Sequence, residues 1–248
     1  MVITLSEFSK LLSKRKRNPL VVEAQPGRGE PDCFKAGQRI LLTLIHTSIV
    51  VVLAGCDGSG KTTIARMLAS HLAGRYRVST HWLRGSHLHV SLLYRFLSKT
   101  TVFRGLDNPY YKLSVPARLR SLFAILEFTG FLLQFFARRL KLLLSDIVVC
   151  DRGVLDFLIW VSTTLRYKSF LRTLLGRFLL TLATVEKPIV LVAKLEVLRE
   201  RSDVPPAFLK IEYAYYNVLA KYVALTVLDT TNSKPAKTVV EVLSKLGL

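Results

Sequence analysis

Gly55-Cys56-Asp57-Gly58-Ser59-Gly60-Lys61-Thr62 is the stretch on which the reading of this chain turns. The apolar, largely β-branched run Ile49-Val50-Val51-Val52-Leu53-Ala54 precedes it, and Thr63-Ile64-Ala65-Arg66-Met67-Leu68-Ala69 follows with helical spacing. A G-x-x-x-x-G-K-[ST] loop between a strand and a helix is a phosphate cradle. Glycines at 55, 58 and 60 let successive backbone N–H groups turn toward one point and form an anion nest. The helix starting near Lys61 adds its unpaired N–H groups and the positive end of its dipole. Lys61 is placed to reach the β- and γ-phosphates of a triphosphate, and the Thr62 hydroxyl to hold Mg²⁺.

At 248 residues the chain is one ordinary α/β domain, or one domain with an appendage. Half of its residues are hydrophobic, enough for a sizeable core, and its net charge of +19 points to anionic partners. Nucleotides, nucleic acid and an acidic membrane surface all qualify, and charge alone does not choose among them. Cys33, Cys56 and Cys150 are odd in number and lack metal-type spacing, which argues against a disulfide framework or zinc site and fits a reducing cytoplasm. Residues 1–12 hold Glu7 and Lys10 and lack the apolar core of a signal peptide. The most lipid-like run, 122–137, is short for a span and is interrupted by Glu127 and Gln134, so it reads as a buried helix, and no integral membrane segment is expected.

Outward from the loop, residues 1–44 read as a basic N-terminal extension whose cluster Lys14-Arg15-Lys16-Arg17 is a solvated helix end. The main domain is expected over 45–248. Its first strand falls within 40–54 and its first helix over 62–73, stopped by Gly74 in the C′ position. A second strand follows over 75–83. Arg84-Gly85-Ser86 lies at that strand's carboxyl end, where parallel sheets place ligands, so Arg84 is a candidate for an acceptor site. His87 and His89 find no third ligand nearby and read as ordinary polar residues. Residues 100–116 look irregular, and a long helix over 117–144, apolar around most of its circumference, is expected to be buried. Between 75 and 143 there are twelve Lys or Arg residues against two acids, Asp107 and Glu127.

Ile147-Val148-Val149-Cys150-Asp151 reads as a third, fully buried strand ending in an acid, where a P-loop enzyme needs a carboxylate for Mg²⁺ or its waters. Arg152 follows, and Gly153 permits a tight turn. Helices are expected over 156–165 and 169–184, with Phe157, Trp160 and Tyr167 read as core, or one of them as facing a base. A fourth strand spans 188–193, and the charged segment after it is either a solvated face or a mobile lid that brings cations over the phosphates, near 195–206. A helix over 208–222, a fifth strand over 224–228 and a closing helix over 235–246 complete the chain. Strands alternating with helices predict an α/β fold, a P-loop NTPase-type three-layer sandwich whose parallel five-stranded sheet is covered by helices on both faces.

From about residue 45 onward this order of parts resembles the thymidylate kinase family of P-loop nucleoside-monophosphate kinases. Gly55-Cys56-Asp57-Gly58-Ser59-Gly60-Lys61-Thr62-Thr63 is similar to the family's G-x-D-G-x-G-K-[ST]-T, and Asp151-Arg152-Gly153 to its D-R-[YFW]. The segment 195–203 resembles its arginine-bearing lid, and Leu228-Asp229-Thr230-Thr231-Asn232-Ser233 its late strand and adenine-side loop. The resemblance implies that the loop through Thr63 binds ATP with Mg²⁺, that Asp57 approaches the acceptor's sugar hydroxyl, and that Arg152 holds the acceptor phosphate. It further implies that Arg199 and Arg201 supply the lid cation, a role the loop cannot fill because it has no cation beyond Lys61. Dimers are common in the family, and the helix over 117–144 offers an isologous face, although a monomer is equally consistent.

Three departures fall on the acceptor side. Ala54 stands where the family usually has Glu, Gly153 replaces an aromatic, and Leu83-Arg84-Gly85-Ser86-His87 replaces a T-R-E-P-G-G-T-like segment, so only Arg84 carries over. The expected activity is transfer of the γ-phosphoryl of ATP to a nucleoside monophosphate in the cytoplasm, to thymidylate if the resemblance extends to the pocket. Two other readings stand beside it. One is a kinase of another acceptor, a nucleoside or a larger anionic molecule. The other is a nucleotide-gated module that binds nucleic acid or a membrane through its basic surface.

Overall fold

The structure, a computed structural model, describes residues 48–247. The expected extension over 1–44 lies outside the described residues. Ser48–Thr238 form one compact unit and the chain from Val239 belongs to another; the site lies wholly within the first.

Val51, Val52, Leu53 and Ala54 are all buried in β1 (Ile49–Gly55), as are all five residues of β4 (Ile147–Asp151). Strands that hide consecutive residues need cover on both faces, which parallel sheets with crossover helices provide. β2 (Val78–Trp82), β5 (Ile189–Val192) and β6 (Val227–Asp229) complete a five-stranded parallel sheet of order β2-β4-β1-β5-β6. The helices are α1 (Lys61–Ala73), α2 (His89–Leu97), α3 (Arg120–Leu144), α4 (Val154–Thr164), α5 (Leu174–Glu186), α6 (Leu195–Arg201), α7 (Pro206–Tyr222) and α8 (Pro235–Leu246). This is the α/β sandwich expected.

Strand register places the site. Leu53 of β1 lies opposite Asp151 of β4 and Ile189 of β5, and Trp82 of β2 is also opposite Asp151. The carboxyl ends of β1, β2 and β4 therefore come level just where β1 gives way to the glycine loop. α4 is buried at every residue, so its Ser162, Thr163 and Thr164 hydroxyls turn back on the carbonyls of Leu158, Ile159 and Trp160 at 2.7–2.9 Å.

Several local expectations are corrected. Residues 104–108, read as irregular, form the short strand β3 (Arg104–Asn108), which bridges Leu113 antiparallel outside the main sheet. Gly74 has φ −67°, right-handed, so α1 does not end on a left-handed glycine. The helix expected over 169–184 is a 3₁₀ turn, Lys168–Arg172, followed by α5, whose cap is the Thr173 hydroxyl accepting from Gly176 N at 3.0 Å.

The largest correction concerns α3. By length and composition Ala117–Leu144 would pass for a membrane-crossing helix, and only 28% of its most apolar stretch is buried. Phe123, Ala124, Glu127, Gly130, Phe131 and Arg138 face inward, the last pairing with Glu186 of α5 at 2.5 Å. Leu122, Ile125, Leu133, Phe136, Leu140 and Leu143 are exposed. An apolar composition read as all-round burial conceals one buried face and one bare stripe.

Candidate functional site

Gly60, left-handed at φ 89°, turns the loop into α1. Lys61 is buried and folds back over the loop it follows, its Nζ donating to Cys56 O at 2.5 Å and Ser59 Oγ at 3.3 Å. Burial and the nearby Arg152 cation push the Lys61 pKa down. Thr62 Oγ1 donates to Asp151 Oδ2 at 2.6 Å, and Thr63 is exposed on the same turn. Asp151 is 7% exposed and its other oxygen, Oδ1, is buried without a partner. Both Thr62 and Asp151 line a cavity of about 320 Å³. An orphaned carboxylate oxygen beside a hydroxyl is a donor set for a hard divalent cation, which takes oxygen ligands. These residues fit Mg²⁺, and the first-turn N–H groups of α1, which lack intrahelical partners, fit phosphate oxygens.

On the other side of the loop stands Asp57. Arg152 Nη2 pairs with its Oδ1, the Tyr110 hydroxyl donates to its Oδ2, and Arg84 Nη2 lies 3.5 Å from the same oxygen. Burial pushes the Asp57 carboxyl upward, but the cations of Arg152, Lys61 and Arg84 outweigh it and hold it well below the usual carboxylate range. Asp57 N donates to Glu212 Oε2 at 3.1 Å. Burial, then the charge of Asp57, push the Glu212 carboxyl up to about 7.

Arg152 takes the left-handed conformation, φ 81°, and its guanidinium sits between Asp57 and Asp156, 3.7 Å from Asp156 Oδ1. Asp156 in turn accepts from Gly153 N at 2.9 Å, Gly55 N at 3.3 Å and Tyr216 Oη at 2.5 Å, tying the turn after β4 to the first loop glycine. The turn was expected on Gly153. It falls on Arg152 instead, while Gly153 is extended and matters for room: a Cβ there would collide with Glu186 Oε2 and Val52 Cγ1.

The Arg84 guanidinium lies 3.7 Å from the Tyr110 ring centroid and 5.2 Å from that of Trp160. These three, with Trp82, Ser86 and Tyr111, line a cavity of about 230 Å³. His87 and His89 are engaged separately: His87 Nε2 accepts from Arg84 N at 2.8 Å, and His89 Nε2 bonds Thr129 Oγ1 at 2.9 Å.

No protein-family model and no curated protein sequence matches the chain. Among solved structures, the thymidylate kinase of Candida albicans aligns over 81% of this chain and 94% of its own, at 14% identity and a TM-score of 0.53. The chain has the thymidylate kinase fold. A thymidylate kinase from Ehrlichia chaffeensis also aligns, over 80% of this chain and 98% of its own, at 18% identity and a TM-score of 0.49.

Within this thymidylate kinase fold the segment expected as a lid is α6. A Cβ on Gly58 would come within 2.9 Å of Leu198 O and 3.3 Å of Arg201 Cβ, so α6 rests on the loop. Arg201 donates to the carbonyls of Thr230 at 3.3 Å and Thr231 at 3.2 Å, and Thr230 Oγ1 donates to Ser59 O at 3.1 Å. Arg199 is exposed on the same helix. Of the two arginines named from sequence, the structure brings Arg201 to the loop.

Tyr110, Asp156 and Glu212 escaped the sequence reading. Tyr110 lies in the stretch whose Asn108-Pro109 signals only breaks. Asp156 opens the helix expected over 156–165, and an acid in a first turn carries no site signal of its own. Glu212 did leave a trace, being the one acid in a helix of aromatic and aliphatic residues.

Proposed function

We propose that this chain is a P-loop kinase that moves the γ-phosphoryl group of ATP onto a nucleoside monophosphate, with thymidylate the first acceptor to try. The observation that carries this reading is one cluster of contacts around the glycine loop with two differently equipped ends. Lys61, Thr62 and the orphaned Asp151 oxygen stand at one, and Arg152 and Arg84 at the other, with Asp57 between them. Phosphoryl transfer is chiefly positioning and neutralisation of spreading negative charge, and this cluster offers groups for both.

Bound MgATP would supply the transferable group and a divalent charge beside it. Lys61 exchanges Cys56 O and Ser59 Oγ for a phosphate oxygen, and Thr62 with Asp151 offers oxygen ligands. Arg152 exchanges part of its hold on Asp57 for the acceptor's phosphate, which lets Asp57 meet a sugar hydroxyl in place of Tyr110. Arg201 is the lid cation, since it already lies beside Gly58. The cavity by Arg84 mixes aromatic rings with two arginines, Arg84 and Arg95, which supports an aromatic anion over a wholly apolar acceptor. A coupled ADP-release assay across nucleoside monophosphates tests the reading. Turnover with one of them supports it, and none with any of them overturns it.

We propose also that two copies associate through α3. Its exposed apolar residues at 122, 125, 133, 136, 140 and 143, joined by the exposed Thr129, follow spacings of three and four that suit a second helix, with the exposed Arg139 beside them.

A further inference from the structure

α3 carries one acid, Glu127, and turns it inward under the acceptor side of the site. The residue is 1% exposed, and its carboxylate is held by neutral donors from two other elements. Ser86 N donates to it at 2.6 Å, the Ser86 hydroxyl donates to its second oxygen, and Trp160 Nε1 donates at 3.2 Å. Burying a carboxylate among neutral donors is expensive, and an apolar side chain would fill the same volume more cheaply. What a carboxylate offers is acceptor capacity on both oxygens with no donor of its own, whereas an amide turns one end from acceptor to donor.

The donors it gathers are the walls of the cavity beside Arg84. Ser86 has φ 56° and Leu88 φ 51°, conformations that non-glycine residues keep only where the surroundings over-determine them. Ser86 is fixed at three points: N and Oγ by Glu127, and its carbonyl, which accepts from the Tyr111 hydroxyl at 3.2 Å. The Trp160 ring sits so close over Gly85 that a Cβ there would collide with it. The same ring faces the Arg84 guanidinium. Burial pushes the Glu127 carboxyl up, and the Ser86 and Trp160 donors pull it partly back.

We infer that Glu127 is a positioning residue for the acceptor: from α3 it locks the strained loop at 84–88 and the Trp160 ring together, so that Arg84 meets an aromatic anion from one fixed direction. The inference rests on the phosphoryl-transfer reading of this site. It makes α3, which contributes nothing to the phosphate loop, a determinant of acceptor binding alone.

Glu127→Gln, which keeps shape and removes half the acceptor capacity, is the test, with two readouts. The first needs no acceptor. In a ¹⁵N-indole spectrum of the two tryptophans, the Trp160 N–H signal is expected to move most, and that of Trp82, which meets the loop only through the His87 ring, to move less; an unmoved Trp160 signal overturns the inference whatever the enzyme phosphorylates. The second uses the monophosphate turned over by the native enzyme. The acceptor KM is expected to rise about tenfold or more, with the KM for ATP and kcat changed less than about twofold. Equal losses in all three mean a general packing role and overturn it. Ser86→Ala, which removes one donor and keeps the backbone one, is the milder variant should Glu127→Gln fold poorly, and a smaller rise confined to acceptor KM is expected. Failure of the native enzyme with every monophosphate sinks the functional reading, and the indole spectrum then decides the inference separately.

Discussion

Thr62 Oγ1 donates to Asp151 Oδ2 at 2.6 Å although 89 positions separate them in sequence. The bond joins the first turn of α1 to the tip of β4, and it leaves Asp151 Oδ1 buried and unsatisfied. A carboxylate oxygen in that condition costs stability in the absence of a cation. Asp151→Asn is therefore expected to leave the melting temperature in EDTA unchanged or raised, while cutting kcat/KM on the order of a hundredfold or more and weakening the Mg²⁺ dependence. Thermal melts with and without Mg²⁺, beside steady-state rates, check both halves.

Asp57 and Arg152 form a nearly buried pair, with side chains 16% and 12% exposed. Removing Arg152 leaves Asp57 with only the more distant Arg84 cation and the Tyr110 hydroxyl, so Arg152→Ala is expected to cost about 3 kcal/mol. The double variant Asp57→Ala with Arg152→Ala is expected to cost less than the two single changes together, since the direct contact between the two is lost only once. Urea unfolding of the four proteins measures the coupling, and strict additivity would contradict it.

Glu212 gives a pH dependence whose sign follows from its raised pKa, about 7 against an ordinary 4.5. Between those values the folded chain holds a proton that the unfolded chain has released. This group's contribution to stability is thus present below about 4.5 and is lost as pH rises through about 7. Glu212→Gln removes the loss, up to about 3 kcal/mol above pH 7. Its melting temperature is expected to exceed the native one by several degrees at pH 8 and to match it near pH 4.5, on the scale of about 2–4 °C per kcal/mol.

The bare stripe on α3 predicts an oligomer. Phe136 is 62% exposed and Leu133 50%, so Phe136→Glu or Leu133→Glu leaves the core intact. Sedimentation velocity is expected to show a native dimer at micromolar concentration and monomers of either variant, with unchanged circular dichroism. A native monomer at tens of micromolar would contradict the interface.

The parts legible in the sequence were those with a short-range signal. The strand-loop-helix around Lys61 and the apolar run closing on Asp151 each carry their own grammar, and they foretold the sheet and the meeting of Thr62 with Asp151. The cluster around Asp57 was legible only in Arg84 and Arg152, because its other members act through long-range contacts. Tyr110 reaches Asp57 across 53 positions and Glu212 reaches Asp57 N across 155. α3 misled for a related reason: composition records that a face is apolar and not whether anything covers it.

The proposal that the Thr62–Asp151 end and the Arg84–Arg152 end of this cluster serve one reaction is tested most directly by ADP formation from MgATP, measured with and without each nucleoside monophosphate, for the native chain and for Arg152→Lys. The result expected is ADP release that requires one monophosphate and falls with Arg152→Lys mainly through the KM of that acceptor. ADP release indifferent to every monophosphate, or equal in the native chain and the variant, would contradict it.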